Sequence, residues 1–328
     1  MRRETVQARR ITLTRREPMV RCTFPTGDDG GMSNEYGSCG AMIPHRPRKP
    51  CPECGVKQLN ATAPAPGPDS LMIDGDAIII DADSGETVVV QATGYGSLAN
   101  AIAAELRQVT TWDAPVTKRN TPANEGRLSG IIVCHRTFGY TNAVPLRRRY
   151  GCTRCRFDTE YPRAARLVDQ MCECAESVFR RWAPEVHDST TRRVRDTIPP
   201  AWLIAGTPWS SGIINHTAAM PYHVDKGNVE GSWSAMLTCR RGIEGGFLHL
   251  VDYDAYLTLP NGSISIFDGQ SVLHGVTPFR LTGKHAYRYT LVTYAKQNMR
   301  ACSPNPADEV KRAAIAATAA EDRRVRRA

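Results

Sequence analysis

The sequence predicts a mainly β protein with flanking helices, in which a double-stranded β-helix (jelly roll) lies beside a small N-terminal zinc-ribbon-like module. Residues 201–300 contain about eight short strand-like segments separated by turn residues, which is typical of antiparallel sandwiches rather than βαβ folds. A CPECG segment at 51–55 has the spacing of a zinc knuckle. With 328 residues, 41% of them hydrophobic, the chain can bury a sizeable core.

Five regions follow from composition and periodicity. We predict the zinc-ribbon-like module over 1–56, a linker rich in Ala, Pro and Gly over 57–70, and a small acidic α+β insert over 71–128. The insert consists of a hairpin and then the helix SLANAIAAELRQV. The jelly-roll domain spans 129–300 and includes a Cys/Arg-rich insert with a helix around 163–182. Residues 301–328 are expected to form a basic helical tail.

The composition excludes several classes of protein. No stretch approaches 18 consecutive apolar residues, and the charged start MRRETVQARRITLTRRE lacks the apolar region of a signal peptide. We therefore expect neither membrane spanning nor secretion, and a cytoplasmic, nucleoid or nuclear location. Eleven cysteines, an odd number that includes CxxC pairs, favour reduced thiols and metal over a disulfide framework.

The knuckle supplies two thiolates, Cys51 and Cys54, and Gly55 relieves the tight turn that points both of them at one ion. Structural zinc takes four ligands, so we predict that Cys39 and either Cys22 or His45 complete the site. A CxxC and a CxC 16 residues apart are candidates for a second zinc site, the alternative being small buried hydrophobic side chains. This second set is Cys152, Cys155, Cys172 and Cys174.

Basic residues outnumber acidic ones by 42 to 33, giving a net charge of +9. All thirteen basic residues of 131–200 are arginine, whose planar fork suits phosphate oxygens. Arg147, Arg148 and Arg149 form the densest run. We interpret it as a candidate contact with a nucleic-acid backbone, the alternative being an ordinary solvated surface.

The strongest chemical signal lies in PYHVDKGN. His223 and Asp225 are two residues apart, so in a strand their side chains leave the same face. His274 follows an alternating strand 49 residues later. Two imidazoles and a carboxylate form the facial triad that holds Fe(II) with three positions open. Arg288, 14 residues further on, is placed to bind the distal carboxylate of 2-oxoglutarate. Other histidines in the segment have no carboxylate two residues on, and these are His216, His249 and His285.

The order HxD, Gly245-Gly246, His and Arg resembles the Fe(II)/2-oxoglutarate dioxygenases across about residues 200–300. Within that superfamily the sequence is most similar to the TET/JBP branch, the nucleic-acid base-methyl hydroxylases. Asn228 stands three residues after Asp225, where TET enzymes place an Asn that touches the target base. Tyr294 stands six residues after Arg288, like the TET Tyr beside the base. The TET pattern continues with a His two residues later, where this chain has Lys296.

The resemblance implies an Fe(II)/2-oxoglutarate-dependent dioxygenase that uses O₂ to hydroxylate the C5-methyl group of a base in double-stranded DNA. The base must first be flipped out of the duplex. We expect 5-methylcytosine to become 5-hydroxymethylcytosine. The close alternative is a JBP-like thymine hydroxylase that makes 5-hydroxymethyluracil. A prolyl-hydroxylase-type protein or small-molecule hydroxylase and a non-enzymatic DNA-binding protein are further alternatives. We expect a monomer.

Overall fold

The computed structural model describes residues 8–22, 24–25, 36–37, 39–44, 49–56, 63–112, 134–145, 149–217 and 219–325. The strands are β1 Arg9–Leu13, β2 Met19–Arg21, β3 Phe24–Pro25, β4 Tyr36–Gly37, β5 Met42–Pro44, β6 Leu71–Ile73, β7 Ala77–Asp81, β8 Thr87–Ala92, β9 Cys134–Thr141, β10 Thr153–Arg154, β11 Ser211–His216, β12 Ser234–Arg241, β13 Ile243–Gly245, β14 Leu248–Leu250, β15 Ala255–Leu257, β16 Ser263–Phe267, β17 His274–Val276, β18 Phe279–Leu281 and β19 Tyr287–Tyr294. The α-helices are α1 Gly96–Leu106, α2 Arg156–Glu160, α3 Pro162–Trp182, α4 Pro184–Thr197 and α5 Pro306–Val325.

Two sheets form the main body of the described chain. The larger has nine strands in the order β1-β7-β8-β16-β12-β19-β11-β9-β10, and the smaller has the order β17-β14-β15-β6. Side chains from both sheets meet in one core, which includes Met236, Leu248, Phe267 and Val276. The predicted mainly β fold with flanking helices is confirmed, and the sheet-on-sheet packing leaves room for a pocket at one end.

Helices cover the other face of the large sheet. In α1 the buried residues are Ala99, Ile102, Ala103 and Leu106, which is the i, i+3, i+4, i+7 pattern of one helix face. The predicted helix around 163–182 is α3, and its buried side chains join those of α1 in a single core against the sheet. The helices therefore stabilise the large sheet from outside, away from the space between the sheets.

The segment 71–112 differs from the predicted separate insert. Strands β7 and β8 form the expected hairpin, but β8 also pairs with β16 and so extends the large sheet. Strand β6 pairs with β15 in the smaller sheet. Both hairpin strands are largely buried, as their apolar runs indicated. The local sequence does not indicate that β16 is the strand that pairs with β8. Residues 113–128 of the predicted insert lie outside the described residues.

The N-terminal module consists of the short pairs β2–β5 and β3–β4 followed by the knuckle. In the knuckle the N–H of Cys51 donates to the carbonyl of Val56 at 2.9 Å, and the N–H of Gly55 donates to the carbonyl of Cys51 at 2.8 Å. Gly55 has φ +69°, the left-handed conformation that glycine adopts without strain. No helix within the described part of the chain is long and apolar enough to cross a membrane.

Candidate active site

The structure brings His223, Asp225 and His274 together at the edge of the smaller sheet. His223 and His274 form an isolated antiparallel bridge, with N–H to carbonyl distances of 2.9 and 3.1 Å. The N–H of Asp225 donates to the carbonyl of Gly269 at 2.7 Å. Backbone hydrogen bonds thus fix all three residues relative to one another.

The three side chains offer one ligand atom each, and these atoms lie within 4.8 Å of one another. Nε2 of His223 is 3.8 Å from Oδ1 of Asp225. The Nδ1 atoms of His223 and His274 lie 2.8 and 2.9 Å from the carbonyl oxygens of Pro221 and Val272. A carbonyl oxygen only accepts hydrogen bonds, so each Nδ1 carries the ring proton. The lone pair of each Nε2 is then available to bind a metal ion.

The protonation states also suit metal binding. Burial and the neighbouring His223 lower the pKa of His274 to about 3, so its imidazole is neutral at neutral pH. Burial raises the pKa of Asp225, whereas His223 and a hydrogen bond from Ser234 lower it. Two neutral imidazoles and one carboxylate are the donor set that Fe(II) takes in a facial triad.

Gly269 is a feature of this site that sequence reasoning missed. A Cβ atom built on Gly269 would lie 2.3 Å from Oδ2 of Asp225 and 2.9 Å from its Cγ. The carboxylate therefore occupies the space that any other side chain would fill. The glycine stands in the segment FDGQSVLHG, five residues before His274, but only the folded chain shows why it is needed.

A cavity of about 470 Å³ opens beside the triad, between the two sheets. This volume falls within the usual range for small-molecule sites. Besides the triad, the polar lining residues are Asn215, Lys226, Asn228, Ser234, Thr290, Tyr294, Lys296 and Asn298. Apolar side chains from both sheets complete the wall, which is therefore largely apolar with a few polar groups.

Arg288 lies on β19, the strand that carries Thr290, Val292 and Tyr294 into the cavity wall. Alternate residues of a strand share a face, so Arg288 lies on the cavity side, and it is only 1% exposed. Burial and the nearby Arg240 lower the pKa of Arg288 to about 9. A buried cation at this position suits an anionic ligand group, because an opposite charge would offset the cost of its burial.

The glycine pair named in the sequence packs against Arg288. A Cβ atom on Gly246 would lie 3.2 Å from Nε of Arg288, and one on Gly245 would lie 2.4 Å from the carbonyl oxygen of Pro278. The Arg288 guanidinium also lies over the ring of Phe279, 5.1 Å from its centroid. Gly246 thus leaves space for the arginine side chain, and Gly245 leaves space for the backbone of Pro278.

Both predicted base-contacting residues line the cavity. Asn228 is 7% exposed, and its Nδ2 donates to Oγ of Ser234 at 3.3 Å. Burial raises the pKa of Tyr294 to about 12, so its hydroxyl keeps its proton at neutral pH. Asn228 also pairs with Lys296 in an isolated antiparallel bridge, which places the residue that departs from the TET pattern on the same wall. Sequence reasoning missed Ser234, because its hydroxyl acquires a role only from its spatial neighbours.

The four-cysteine cluster, Cys22, Cys39, Cys51 and Cys54, also comes together, with ligand sulfurs within 4.8 Å of one another. Burial would raise the pKa of Cys51, but the backbone N–H groups of Cys54 and Glu53 donate to its sulfur and bring the pKa to about 7. This favours the thiolate form of Cys51, whereas burial raises the pKa of Cys22 to about 12 in the metal-free chain. His45, the alternative fourth ligand, lies outside the described residues.

The possible second zinc site is not formed. Cys152 is joined to Cys302 in a disulfide, a pairing that also departs from the expectation of reduced thiols throughout. Cys172 and Cys174 lie two residues apart within α3, where side chains at that spacing point to different sides of the helix. Cys172 is buried, and its sulfur contacts Oγ1 of Thr293 at 3.8 Å. The CxC spacing would suit a strand better than the helix that the segment forms.

The arginine run is only partly described. Arg147 and Arg148 lie outside the described residues, and Nε of Arg149 donates to the carbonyl of Asn142 at 2.8 Å. Further along, Arg154 pairs with Asp158 and Asp169. Arg154 therefore has carboxylate partners within the chain, and its charge contributes to ion pairs that stabilise the fold.

Comparison with known proteins identifies the domain that holds this site. Residues 137–297 match the sequence model of the family Tet_JBP, described as the oxygenase domain of the 2OGFeDO superfamily. These residues form a Tet_JBP oxygenase domain. The match supports an Fe(II)- and 2-oxoglutarate-dependent oxidoreductase domain of the TET/JBP type within residues 137–297. The match begins at residue 137 and so includes the Cys/Arg-rich insert. The resemblance noted in the sequence covered only about residues 200–300.

Solved structures similar to this chain include NgTET1 in complex with 5mC DNA, at 11% identity and a TM-score of 0.49, with 72% of this chain and 85% of that one covered. A 2OG-Fe(II) oxygenase family oxidoreductase from Burkholderia pseudomallei matches at 14% identity and a TM-score of 0.35, covering 65% and 88%. A bsmA homolog from Methylobium petroleophilum PM1 matches at 14% identity and a TM-score of 0.35, covering 64% and 89%. No curated protein sequence matches the chain.

Proposed function

We propose that this oxygenase hydroxylates the C5-methyl group of 5-methylcytosine in double-stranded DNA. One observation carries the proposal: the triad, Asn228 and Tyr294 line a single cavity of about 470 Å³. A base that enters this cavity meets the oxidising centre on one side and polar groups for its edge on another. Because a stacked base cannot reach that position, the target nucleotide has to be flipped out of the duplex.

His223, Asp225 and His274 are the proposed ligands of Fe(II). Their donor set and the orientation of both Nε2 atoms fit this metal. When bound, Fe(II) with 2-oxoglutarate activates O₂ to oxidise a nearby C–H bond. The protein's own part is to hold the ligands, to orient the methyl group, and to exclude bulk water through the apolar cavity wall.

Arg288 is the proposed anchor for a carboxylate of 2-oxoglutarate. It is buried and lies on the cavity side of β19, and a bidentate bond between guanidinium and carboxylate would fix the orientation of the co-substrate. Gly246 leaves the space for this side chain. Arg280, on β18 of the separate pair β13–β18, is exposed and pairs with Glu244, so it is the weaker candidate.

The hydrogen bond of Asn228 supports cytosine as the base. Since Nδ2 donates to Ser234, Oδ1 of this cavity-lining side chain remains as an acceptor for a ligand. At position 4, 5-methylcytosine presents an amino donor and thymine a carbonyl acceptor. An acceptor fixed in the wall therefore favours 5-methylcytosine. A fully protonated Tyr294 hydroxyl adds a group that can donate to the base edge.

Thymine is the second candidate substrate, and Lys296 is the observation that favours it. Lys296 lines the cavity, and its backbone pairs with that of Asn228 in an antiparallel bridge. An ammonium group only donates hydrogen bonds, so it matches the carbonyl oxygen of thymine better than the amino group of cytosine. Hydroxylation of thymine would yield 5-hydroxymethyluracil.

Two further parts of the chain complete the proposal. The four-cysteine cluster binds one structural Zn²⁺, because four thiolates at this spacing form the closed tetrahedral site that zinc prefers. Arg147, Arg148 and Arg149 contact the DNA backbone, consistent with the net charge of +9. Replacing all three arginines is expected to weaken binding to every DNA sequence alike and to reduce its salt dependence. Unaltered affinity would contradict this role.

The test is mass spectrometry of nucleosides after incubation with Fe(II) and 2-oxoglutarate. Three matched duplexes would differ only at the target position. The first carries 5-methylcytosine there, the second carries thymine, and the third carries a base without a C5-methyl group. We expect 5-hydroxymethylcytosine from the first duplex and succinate in at least equal amount. Formation of 5-hydroxymethyluracil instead would favour the thymine reading, and no oxidised nucleoside from any duplex would refute DNA base hydroxylation.

A further inference from the structure

The N-terminal module and the triad share one small buried core. Its members are Val20, Cys22, Ile43 and Cys51 from the module, Ala63 from the linker, and Tyr222, Val251 and Leu273 from the oxygenase domain. Ala41 and Val224 are half-buried against the same cluster. Two of the four cluster cysteines, each 1% exposed, are thus also part of the surface that the oxygenase domain packs against.

The residues that contact the module alternate with the proposed iron ligands. His223 and Asp225 line the cavity, whereas Tyr222 and Val224 pack against the module. Leu273 likewise packs against the module and immediately precedes His274. Neighbouring residues of an extended segment point to opposite sides. One face of residues 222–225 and 273–274 therefore carries the proposed iron ligands, and the other face packs against the module.

The segment that carries His223 joins the smaller sheet through a few backbone hydrogen bonds and not through a regular strand. His223 pairs with His274 in an isolated bridge rather than within a long ladder, so packing behind it adds to the few backbone hydrogen bonds that hold its position. Tyr222 is only 3% exposed, and its hydroxyl lies 2.7 Å from Nδ1 of His249. A Cβ atom on Gly275 would lie 2.8 Å from Cδ1 of Tyr222. Tyr222 is thus closely enclosed between the smaller sheet and the module.

From these contacts we infer that the metal-loaded module acts as the support of the iron site, with Tyr222, Val224 and Leu273 as positioning residues. The inference rests on the proposed Zn²⁺ and Fe(II) sites. The module is held by strand pairs of two and three residues, too few to keep their arrangement without the metal. Loss of Zn²⁺ would therefore loosen the wall behind His223 and His274 and lower the affinity of the triad for its metal.

The test measures Mn²⁺ binding to the full chain by electron paramagnetic resonance, with no DNA and no turnover. Mn²⁺ suits imidazole and carboxylate ligands and competes poorly for thiolates. The chain is first loaded with one Zn²⁺, and thiol titration verifies that four cysteines are protected. Zinc is then removed with a chelator, the chelator is washed out, and Mn²⁺ binding is measured before removal, after removal and after zinc is restored. The signal lost in His274→Ala defines binding at the triad.

We expect zinc removal to weaken triad-dependent Mn²⁺ binding by about tenfold or more, in line with the loss of groups that orient metal ligands, and zinc restoration to reverse the effect. Leu273→Ala should weaken Mn²⁺ binding while still protecting four thiols. Cys51→Ala should reproduce zinc removal, whereas Cys239→Ala, a buried free cysteine of β12 outside the module, should leave Mn²⁺ affinity unchanged. Thermal unfolding of each variant verifies that the oxygenase domain remains folded.

Equal Mn²⁺ affinity in the zinc-loaded and zinc-free chain would overturn the support role while leaving the proposed iron site intact. A zinc-loaded chain with no His274-dependent Mn²⁺ signal would overturn the iron site itself, and the support role with it. An unchanged affinity in Leu273→Ala together with a loss in Cys51→Ala would remove Leu273 from the positioning residues.

Discussion

The substitution Gly269→Ala tests the geometry of the proposed iron site with a single methyl group. The added Cβ would lie 2.3 Å from Oδ2 of Asp225, whereas ordinary van der Waals contact begins at 3.4 Å. The carboxylate therefore has to move by about 1 Å, the difference between these distances. Metal–ligand distances tolerate only about 0.2 Å, and a 1 Å misplacement in an active site can cost about 100-fold in rate.

We expect Gly269→Ala to lower Fe(II)-dependent 2-oxoglutarate turnover by about 100-fold and to weaken metal binding by about 10–100-fold. Succinate formation and a metal titration measure the two effects. The matched control is Gly283→Ala, because a Cβ atom there meets nothing within 4 Å. Wild-type metal affinity and turnover in Gly269→Ala would refute the placement of Asp225 in the metal site.

Four further predictions concern the same site. Asp225→Ala should abolish metal-dependent succinate formation, and full activity would exclude this residue as a ligand. Arg288→Ala should raise the KM for 2-oxoglutarate by about 10–100-fold, as the loss of a charged hydrogen bond of roughly 1.5–3 kcal/mol predicts, whereas Arg280→Ala should leave KM unchanged. Asn228→Ala should reduce oxidation of methylated DNA but retain the slow 2-oxoglutarate decarboxylation expected without DNA, and loss of both would contradict a role limited to the base. In the metal-free chain, the pKa of His274 is lowered to about 3 from an unfolded value of about 6.5. The free energy of unfolding should therefore fall as the pH drops from about 6.5 toward 3, because the unfolded chain takes up a proton that the folded chain does not. Denaturant titrations at several pH values should show a shallower decline in His274→Ala, and an identical decline would contradict this assignment.

Local patterns accounted for much of the fold. Alternation along 263–266 and the apolar runs near 77–92 identified β16, β7 and β8, and helical spacing identified α1 and α3. These signals operate over a few residues, so they report which element forms. They carry no information on which distant strand lies beside it, and the hairpin β7–β8 was therefore predicted as an insert although β8 pairs with β16.

In the candidate site, too, the sequence identified residues through local patterns but not through their long-range contacts. The HxD spacing and the order of the later His and Arg identified residues that the structure brings to one cavity edge or one strand face. Gly269 and Ser234 could not be identified, because each matters only through contact with Asp225 or Asn228 in the folded chain. The disulfide between Cys152 and Cys302 spans 150 residues, and no spacing rule links cysteines so far apart.

The most direct test of the proposed activity is nucleoside mass spectrometry on a duplex with 5-methylcytosine, with wild-type chain and His274→Ala measured side by side. We predict 5-hydroxymethylcytosine from the wild type only when Fe(II), 2-oxoglutarate and O₂ are all present, and none from His274→Ala. Absence of any oxidised pyrimidine from the wild type, or equal product from both chains, would contradict the account.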